Sequence, residues 1–125
     1  MASWVFLIVA LALNAVANVL MKVGAKDQLP LAHGAGAAAK VAAFLNLATV
    51  CGIVLFAVNV LFYRRALDGI SLSVAYPIMV GGGLVLVTLA ACLLPRLAER
   101  IGFVQVLGMV LIALGAWLVT RPAPP

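Results

Sequence analysis

The stretch that decides the fold is WVFLIVALALNAVANVLM, residues 4–21, which contains no charged side chain and is followed by Lys22. A helix needs about 20 predominantly apolar residues to cross the hydrocarbon core of a bilayer. The run falls within the range of lengths that membrane spans have. It therefore predicts a first membrane-spanning helix at about 4–22.

The whole chain has the composition of a membrane protein. Of its 125 residues, 67% are hydrophobic and 9% are charged, and the mean hydropathy is +1.30. Soluble domains are roughly 45–50% apolar and about 25% charged, because polar groups must cover their surface. The composition excludes a water-soluble fold, and a chain of this length leaves no room for a soluble catalytic domain beside several spans.

Three more apolar runs follow, at about 41–63, 70–94 and 102–120. The connections between them are rich in charged and turn-forming residues, and the alternation of outer-membrane strands is absent. Irregular backbone facing lipid leaves its hydrogen-bonding groups unsatisfied, so each run is expected to be a helix. The predicted fold class is all-α integral membrane: one domain, 1–125, forming a four-transmembrane-helix bundle.

The basic residues lie between the apolar runs, where Lys and Arg anchor helices at membrane surfaces. The net charge of +5 therefore does not predict nucleic-acid binding. Five basic residues lie in the first and third connections and three in the second connection and the tail. This difference slightly favours both termini outside the cytoplasm and permits insertion in both orientations. Cys51 and Cys92 lie within apolar runs and are interpreted as buried small hydrophobes.

Ionisable side chains of the kind used in catalysis are absent from the predicted spans. The three acids, Asp27, Asp68 and Glu99, and the only histidine, His33, all fall in connections. Proton-coupled pumps normally carry an ionisable group inside the membrane, so simple proton antiport is disfavoured. No embedded acid–base pair and no zinc-hydrolase or serine-hydrolase motif is found. The sequence predicts neither an enzyme nor a bound cofactor or metal.

Neutral polar side chains inside the spans are the first candidates for a binding site. Asn14, Asn18 and Lys22 are spaced by four and share one face of the first helix. They either form hydrogen bonds between helices or line a wet cavity that ends in a cation. For three other polar residues, interhelical hydrogen bonds are expected; these are Asn46, Thr88 and Gln105.

Small residues and a proline mark the third and fourth runs. Pro77 and Gly81, Gly82 and Gly83 make the third helix deformable, as a hinge for alternating access or as a site of close helix packing. Another set of three, all on one face of the fourth helix, suits helix pairing within the bundle or across a dimer; these are Gly108, Ile112 and Gly115.

Three motifs now resemble a known family, the small multidrug resistance transporters of the drug/metabolite transporter superfamily. They are NVLMK at 18–22, ISLSVAYPI at 70–78 followed by the glycines at 81–83, and GMVLIALG at 108–115. The resemblance covers nearly the whole chain, in order. It implies four helices and a dimer that pairs through the fourth.

Two departures change what the resemblance implies. The drug exporters carry a glutamate eight residues before the lysine, where this chain has Asn14, and a tryptophan three residues after the tyrosine, where it has Met79. Without that carboxylate, drug–proton antiport does not carry over. The chain is more similar to the four-helix flippase subunits for undecaprenyl-phosphate-linked aminoarabinose. That branch implies a multi-pass protein of the bacterial inner (cytoplasmic) membrane, as a homodimer or with a paralogous subunit.

The predicted function is the translocation of a polyprenyl-phosphate-linked sugar or a similar anionic amphiphile. Asn14, Asn18 and Tyr76 are expected to contact the polar head, and Lys22 with Arg64 or Arg65 to hold phosphate at an interface, since the Arg fork matches phosphate. The two arginines are alternatively topology anchors. The competing functions are a small-molecule or multidrug exporter, as half of a heterodimer whose partner brings the carboxylate, and a membrane assembly subunit that transports nothing.

Overall fold

The computed structural model describes residues 1–32, 36–97 and 99–121, without the side chains of 28–32. The connection residue His33 lies outside the described residues. The described ranges form five helices and contain no strand; the helices are α1 (Ala2–Ala32), α2 (Ala37–Phe44), α3 (Leu47–Ala66), α4 (Leu72–Leu93) and α5 (Phe103–Val119).

Three helices are long and apolar enough to cross a membrane: α1 over Ala2–Asp27, and α3 and α4 over their full lengths. The prediction of an all-helical membrane protein is therefore confirmed. The predicted four-helix count is not, since the described residues form five helices. The last of them, α5, has 17 residues, about 25 Å at the rise of an α-helix, which is shorter than a hydrocarbon core of about 30 Å. Whether α5 is a fourth span stays a prediction.

The second apolar run, 41–63, is divided between α2 and α3 at Asn46. The Asn46 Oδ1 accepts a hydrogen bond from the Thr49 backbone N–H at 2.8 Å and so caps the first turn of α3. The Asn46 Nδ2 donates to the Gly24 carbonyl at 2.7 Å, which ties the start of α3 to α1. The expected interhelical bond of Asn46 is thus confirmed, and α3 begins later than the hydropathy predicts.

The first helix continues well past Lys22. Lys26 and Asp27, predicted to lie in a polar connection, are helical. Gly24 does not end the helix because it is buried against α3, with Thr49 directly above it. The small residue lets α3 approach at the point where the chain was expected to leave the membrane.

The helices are arranged around α1, which packs most extensively on α3 and also on α4, whereas α5 packs on α4. Ala10 and Ala17 of α1 have no exposed surface, and Leu7 is 1% exposed. Lipid tails are as apolar as side chains, so membrane helices associate through close van der Waals contact of small residues. Small residues accordingly supply much of the core, in which Leu7 packs with Ala66, Ile70 and Ala75.

The two helices α1 and α3 also approach each other closely at Gly52. A Cβ atom there would lie 2.8 Å from Met21 Cγ and 3.1 Å from the Ala17 carbonyl oxygen. Met21 can turn aside, but the carbonyl belongs to the α1 backbone, so a side chain at position 52 requires α1 to move by a few tenths of an ångström. Glycine fits this contact without such a shift.

The triple glycine of α4 packs on both sides. A Cβ at Gly81 would lie 3.5 Å from Ala116 of α5, and one at Gly82 would lie 2.9 Å from Leu11 of α1. α4 continues through Pro77 as one helix. The close-packing interpretation agrees with these distances, and a hinge at Pro77 stays a prediction.

The prediction that the two cysteines are buried is wrong. Cys51 and Cys92 are exposed on the surfaces of α3 and α4. In a membrane helix an apolar position faces lipid as readily as protein, so hydrophobic sequence context alone does not distinguish the two.

We expect Gly52→Val to destabilise the fold by about 1–3 kcal/mol, because overpacking at this site forces α1 and α3 apart. The matched control is Ala57→Val, which places the same side chain at an exposed position of α3. The unfolding midpoint of each purified variant in detergent measures the difference. Equal midpoints contradict the assignment of Gly52 to the α1–α3 contact.

Candidate functional site

Asn14 and Asn18 form a hydrogen-bonded pair on α1, called here the asparagine pair. The Asn18 Nδ2 donates to the Asn14 backbone carbonyl at 2.8 Å and to the Asn14 Oδ1 at 3.5 Å. Both side chains are half-buried. Among the described residues, neither amide forms a hydrogen bond to another helix. The pair therefore keeps hydrogen-bonding capacity for another group.

The asparagine pair lies where α4 approaches α1. A Cβ at Gly83 of α4 would lie 3.0 Å from the Asn14 Nδ2, and Gly83 is buried. The absent side chain at Gly83 makes the room that the Asn14 amide occupies. A neutral amide thus sits between two membrane helices, near the middle of each.

Lys22 is held at the end of the α1 span by an acid. Its Nζ lies 3.1 Å from Glu99 Oε1, with both side chains about half exposed. One turn later, the Lys26 Nζ donates to the Arg96 and Leu97 carbonyls at 3.0 Å each. These contacts tie α1 to the connection between α4 and α5. Lys22, which was expected to hold phosphate, therefore already has a carboxylate partner.

Arg64 and Arg65 lie at the opposite end of the molecule. Both pair with Asp68, at 3.1 Å and 3.9 Å. Gly69, in the same connection, touches Ser3, which is nineteen residues before Lys22 on α1 and thus about 28 Å away along the helix. The structure does not bring the arginines and Lys22 to one site.

Tyr76 is 60% exposed on α4. It lies seven residues before Gly83, which is about 10 Å along the helix from the level of Asn14. The three residues expected to hold one polar head therefore divide into the asparagine pair and a separate tyrosine. The structure does not gather these residues and the basic residues at either end into one pocket.

Two residues of α3 were not predicted as site residues. Asn59 is 4% exposed, and its Oδ1 and the hydroxyl of Tyr63 are buried without a hydrogen-bond partner among the described residues. An unpaired buried polar group costs about 1–3 kcal/mol. Their spacing of four within the predicted span already places them on one face of the helix, but their burial by other helices is not visible in the sequence.

The remaining polar and small-residue predictions have mixed outcomes. The Gln105 Oε1 accepts from the Gly102 N–H at 2.8 Å and so caps α5; within the described part of the chain it forms no bond to another helix, contrary to the expectation. A Cβ added at Gly108 or Gly115 of α5 would have nothing within 4 Å, whereas Ile112 lies against Gly81 of α4. The two glycines thus have room for a closely packed helix, although Gly108 also borders a small cavity shared with α4.

We expect Asn59→Leu to stabilise the protein by roughly 1 kcal/mol, because it removes an unpaired buried acceptor at similar volume. The matched control, Asn46→Leu, loses a helix cap and a bond to α1, and should destabilise by about 1–2 kcal/mol. Unfolding midpoints in detergent compare the two. A loss of stability in Asn59→Leu shows instead that the carbonyl has a partner.

Comparison with known proteins identifies a relative of the chain. No family model matches the chain, and no solved structure matches it. The chain is 35% identical over 88 residues to "Uncharacterized protein y4nH" of Sinorhizobium fredii (strain NBRC 101917 / NGR234). The match covers 70% of this chain and 70% of that protein. The chain therefore belongs to the same family as the y4nH protein.

Proposed function

We propose that the chain is a small membrane transporter that moves a polyprenyl-phosphate-linked sugar or a similar anionic amphiphile across the bacterial inner membrane, without converting it chemically. The observation that carries this proposal is the asparagine pair. Asn14 and Asn18 are half-buried between membrane helices and bond only to each other within the described chain.

The chemistry of the pair favours a hydroxyl-bearing head group. An amide both donates and accepts hydrogen bonds, as sugar hydroxyls do. It neither binds and releases a proton nor neutralises a cation, so it is poorly suited to proton-driven export of a cationic drug. Asn59 and Tyr63 add a second acceptor and a hydroxyl on α3, both without partners in the described residues.

The ion pairs at the two ends support an anionic substrate. Lys22 is held by Glu99, and Arg64 by Asp68. A phosphate that reaches either end competes with a carboxylate for the cation, and both cations are exposed enough to exchange partners. Such exchange gives a weak, reversible phosphate contact at each face of the membrane.

A dimer is part of the proposal. One protomer places only a few helices around the asparagine pair. Gly108 and Gly115 form a small-residue face on α5 where no described atom would lie within 4 Å of an added Cβ, which suits close helix pairing. The resemblance of 108–115 to the pairing motif of small multidrug resistance transporters supports the same face. Either a second copy of the chain or a paralogous subunit can pair with this face.

We expect Asn14→Ala to abolish translocation while leaving the folded protein intact, because it removes the head-group contact. The measurement is reconstitution in liposomes with a fluorescent polyprenyl-phosphate sugar and an accessibility assay at the outer surface. Thr88→Val, a polar-to-apolar change of similar size on α4, is the control and should keep full activity.

The outcomes separate the competing functions. Unchanged translocation in Asn14→Ala contradicts the site assignment. A wild-type protein that moves no lipid-linked sugar contradicts the proposed function. If instead Asn14, Asn18 and Lys22 all tolerate substitution in cells, the chain is a membrane assembly subunit.

We expect Glu99→Gln to raise the apparent affinity for the lipid-linked sugar several-fold, because it releases Lys22 for phosphate. Lys22→Gln should lower that affinity. Asp27→Asn removes a carboxylate at the same end that lies 4.0 Å from Arg96 and serves as the control for net charge. Binding titrations on vesicles measure all three, and an affinity that is unchanged in Glu99→Gln excludes Lys22 as the phosphate contact.

A further inference from the structure

A lateral groove of about 910 Å³ runs along the outside of α4, bounded by α1 on one side and α5 on the other. Its volume is in the range of sites that hold small molecules. The walls are apolar, and no charged side chain of the described chain lines them. Representative lining residues from the three helices are Trp4, Leu11, Ile78, Val85, Ala113 and Trp117.

The groove has the shape of an extended chain. On α4 its lining residues run from Ser71 to Leu86, which is about 22 Å along the helix axis. That length is most of a hydrocarbon core of about 30 Å. A long apolar groove parallel to a membrane helix fits an acyl chain better than a compact ligand.

One end of the groove has the chemistry of a membrane interface. Trp4 and Trp117 lie at this end, as aromatic side chains do where hydrocarbon meets head groups. The Arg121 guanidinium carbon lies 3.9 Å from the centroid of the Trp117 ring. No ion pair to Arg121 is found in ranges 1–32, 36–97 and 99–121. The end of the groove therefore presents a cation whose fork matches phosphate.

We propose that this groove seats an acyl chain of an anionic bilayer phospholipid, with the lipid phosphate on Arg121. The site goes beyond the transport proposed above, because the asparagine pair does not line the groove. The hydroxyl side chains that line the groove are those of Ser71 and Thr120, and each already forms a hydrogen bond within the chain, with the Ser73 hydroxyl and the Trp117 carbonyl. The walls therefore suit the apolar chain of a resident lipid better than a sugar head group.

A second copy of the chain is less suited to the groove. Ala113 lines the groove, and it lies five residues, or about 140° around the helix, from Gly108. The small-residue face and the groove are therefore on different sides of α5. A dimer that pairs through the glycines leaves the groove open to lipid.

Tryptophan fluorescence tests the proposal directly, because the chain has two tryptophans and both line the groove. The purified protein is reconstituted in two sets of phosphatidylcholine vesicles. One set contains phosphatidylglycerol with brominated acyl chains, and the other contains brominated phosphatidylcholine at the same mole fraction. Bromine quenches nearby tryptophans, so stronger quenching reports tighter lipid binding. We expect the brominated phosphatidylglycerol to bind about fivefold more tightly, which is the contribution of one arginine at an anionic surface.

Paired variants locate the lipid. Arg121→Gln should remove the preference, whereas Arg100→Gln, the same change in the connection before α5, should keep it. Ala113→Phe fills the groove and should lower quenching by both lipids, whereas Leu111→Phe on another side of α5 should not. Three results would overturn the proposal. The first is equal quenching by the two lipids, and the second is a preference that survives Arg121→Gln. The third is low quenching by both lipids in the wild type, which would show that a second chain covers the groove. None of these results depends on whether the protein transports a lipid-linked sugar.

Discussion

The close approach of α1 to α3 and α4 through small residues is the contact on which the rest of the structure depends. In a bilayer no hydrophobic force drives apolar helices together, so only dense van der Waals contact and a few polar bonds hold them. Gly52 admits the α1 backbone on one side, and Gly82 admits Leu11 on the other. The asparagine pair and Lys22 all lie on α1, which is the central helix. A change in the packing of α1 therefore moves all three side chains together.

Hydropathy predicts most of this architecture but not its boundaries. The runs that became α1 and α4 are long and uncharged, so their existence follows from the thickness of the membrane. The division of the second run was not predictable from apolarity, because Asn46 looks like one polar residue within a span. Only its bonds to Thr49 and Gly24 reveal it as a helix cap. Similarly, a buried glycine at position 24 allowed α1 to continue where the charges predicted a connection.

The candidate site was predictable where it depends on spacing along one helix and not where it depends on distant partners. A separation of four placed Asn14 and Asn18 on one face, and they do bond. The pairing of Lys22 with Glu99 joins residues far apart in sequence, and no local pattern indicates it. The unpaired groups of Asn59 and Tyr63 are likewise a product of burial by other helices, which periodicity within α3 cannot describe.

The contact between Asn14 and Gly83 has an evolutionary consequence. A Cβ at Gly83 would already lie 3.0 Å from the Asn14 amide, so the sizes of the side chains at these two positions are coupled. A residue at position 14 that is longer by one methylene, such as glutamate, fits only while position 83 stays small or α4 shifts outward. Substitutions at positions 14 and 83 are thus expected to be correlated among relatives of this chain, with the α4 glycine as the permissive partner.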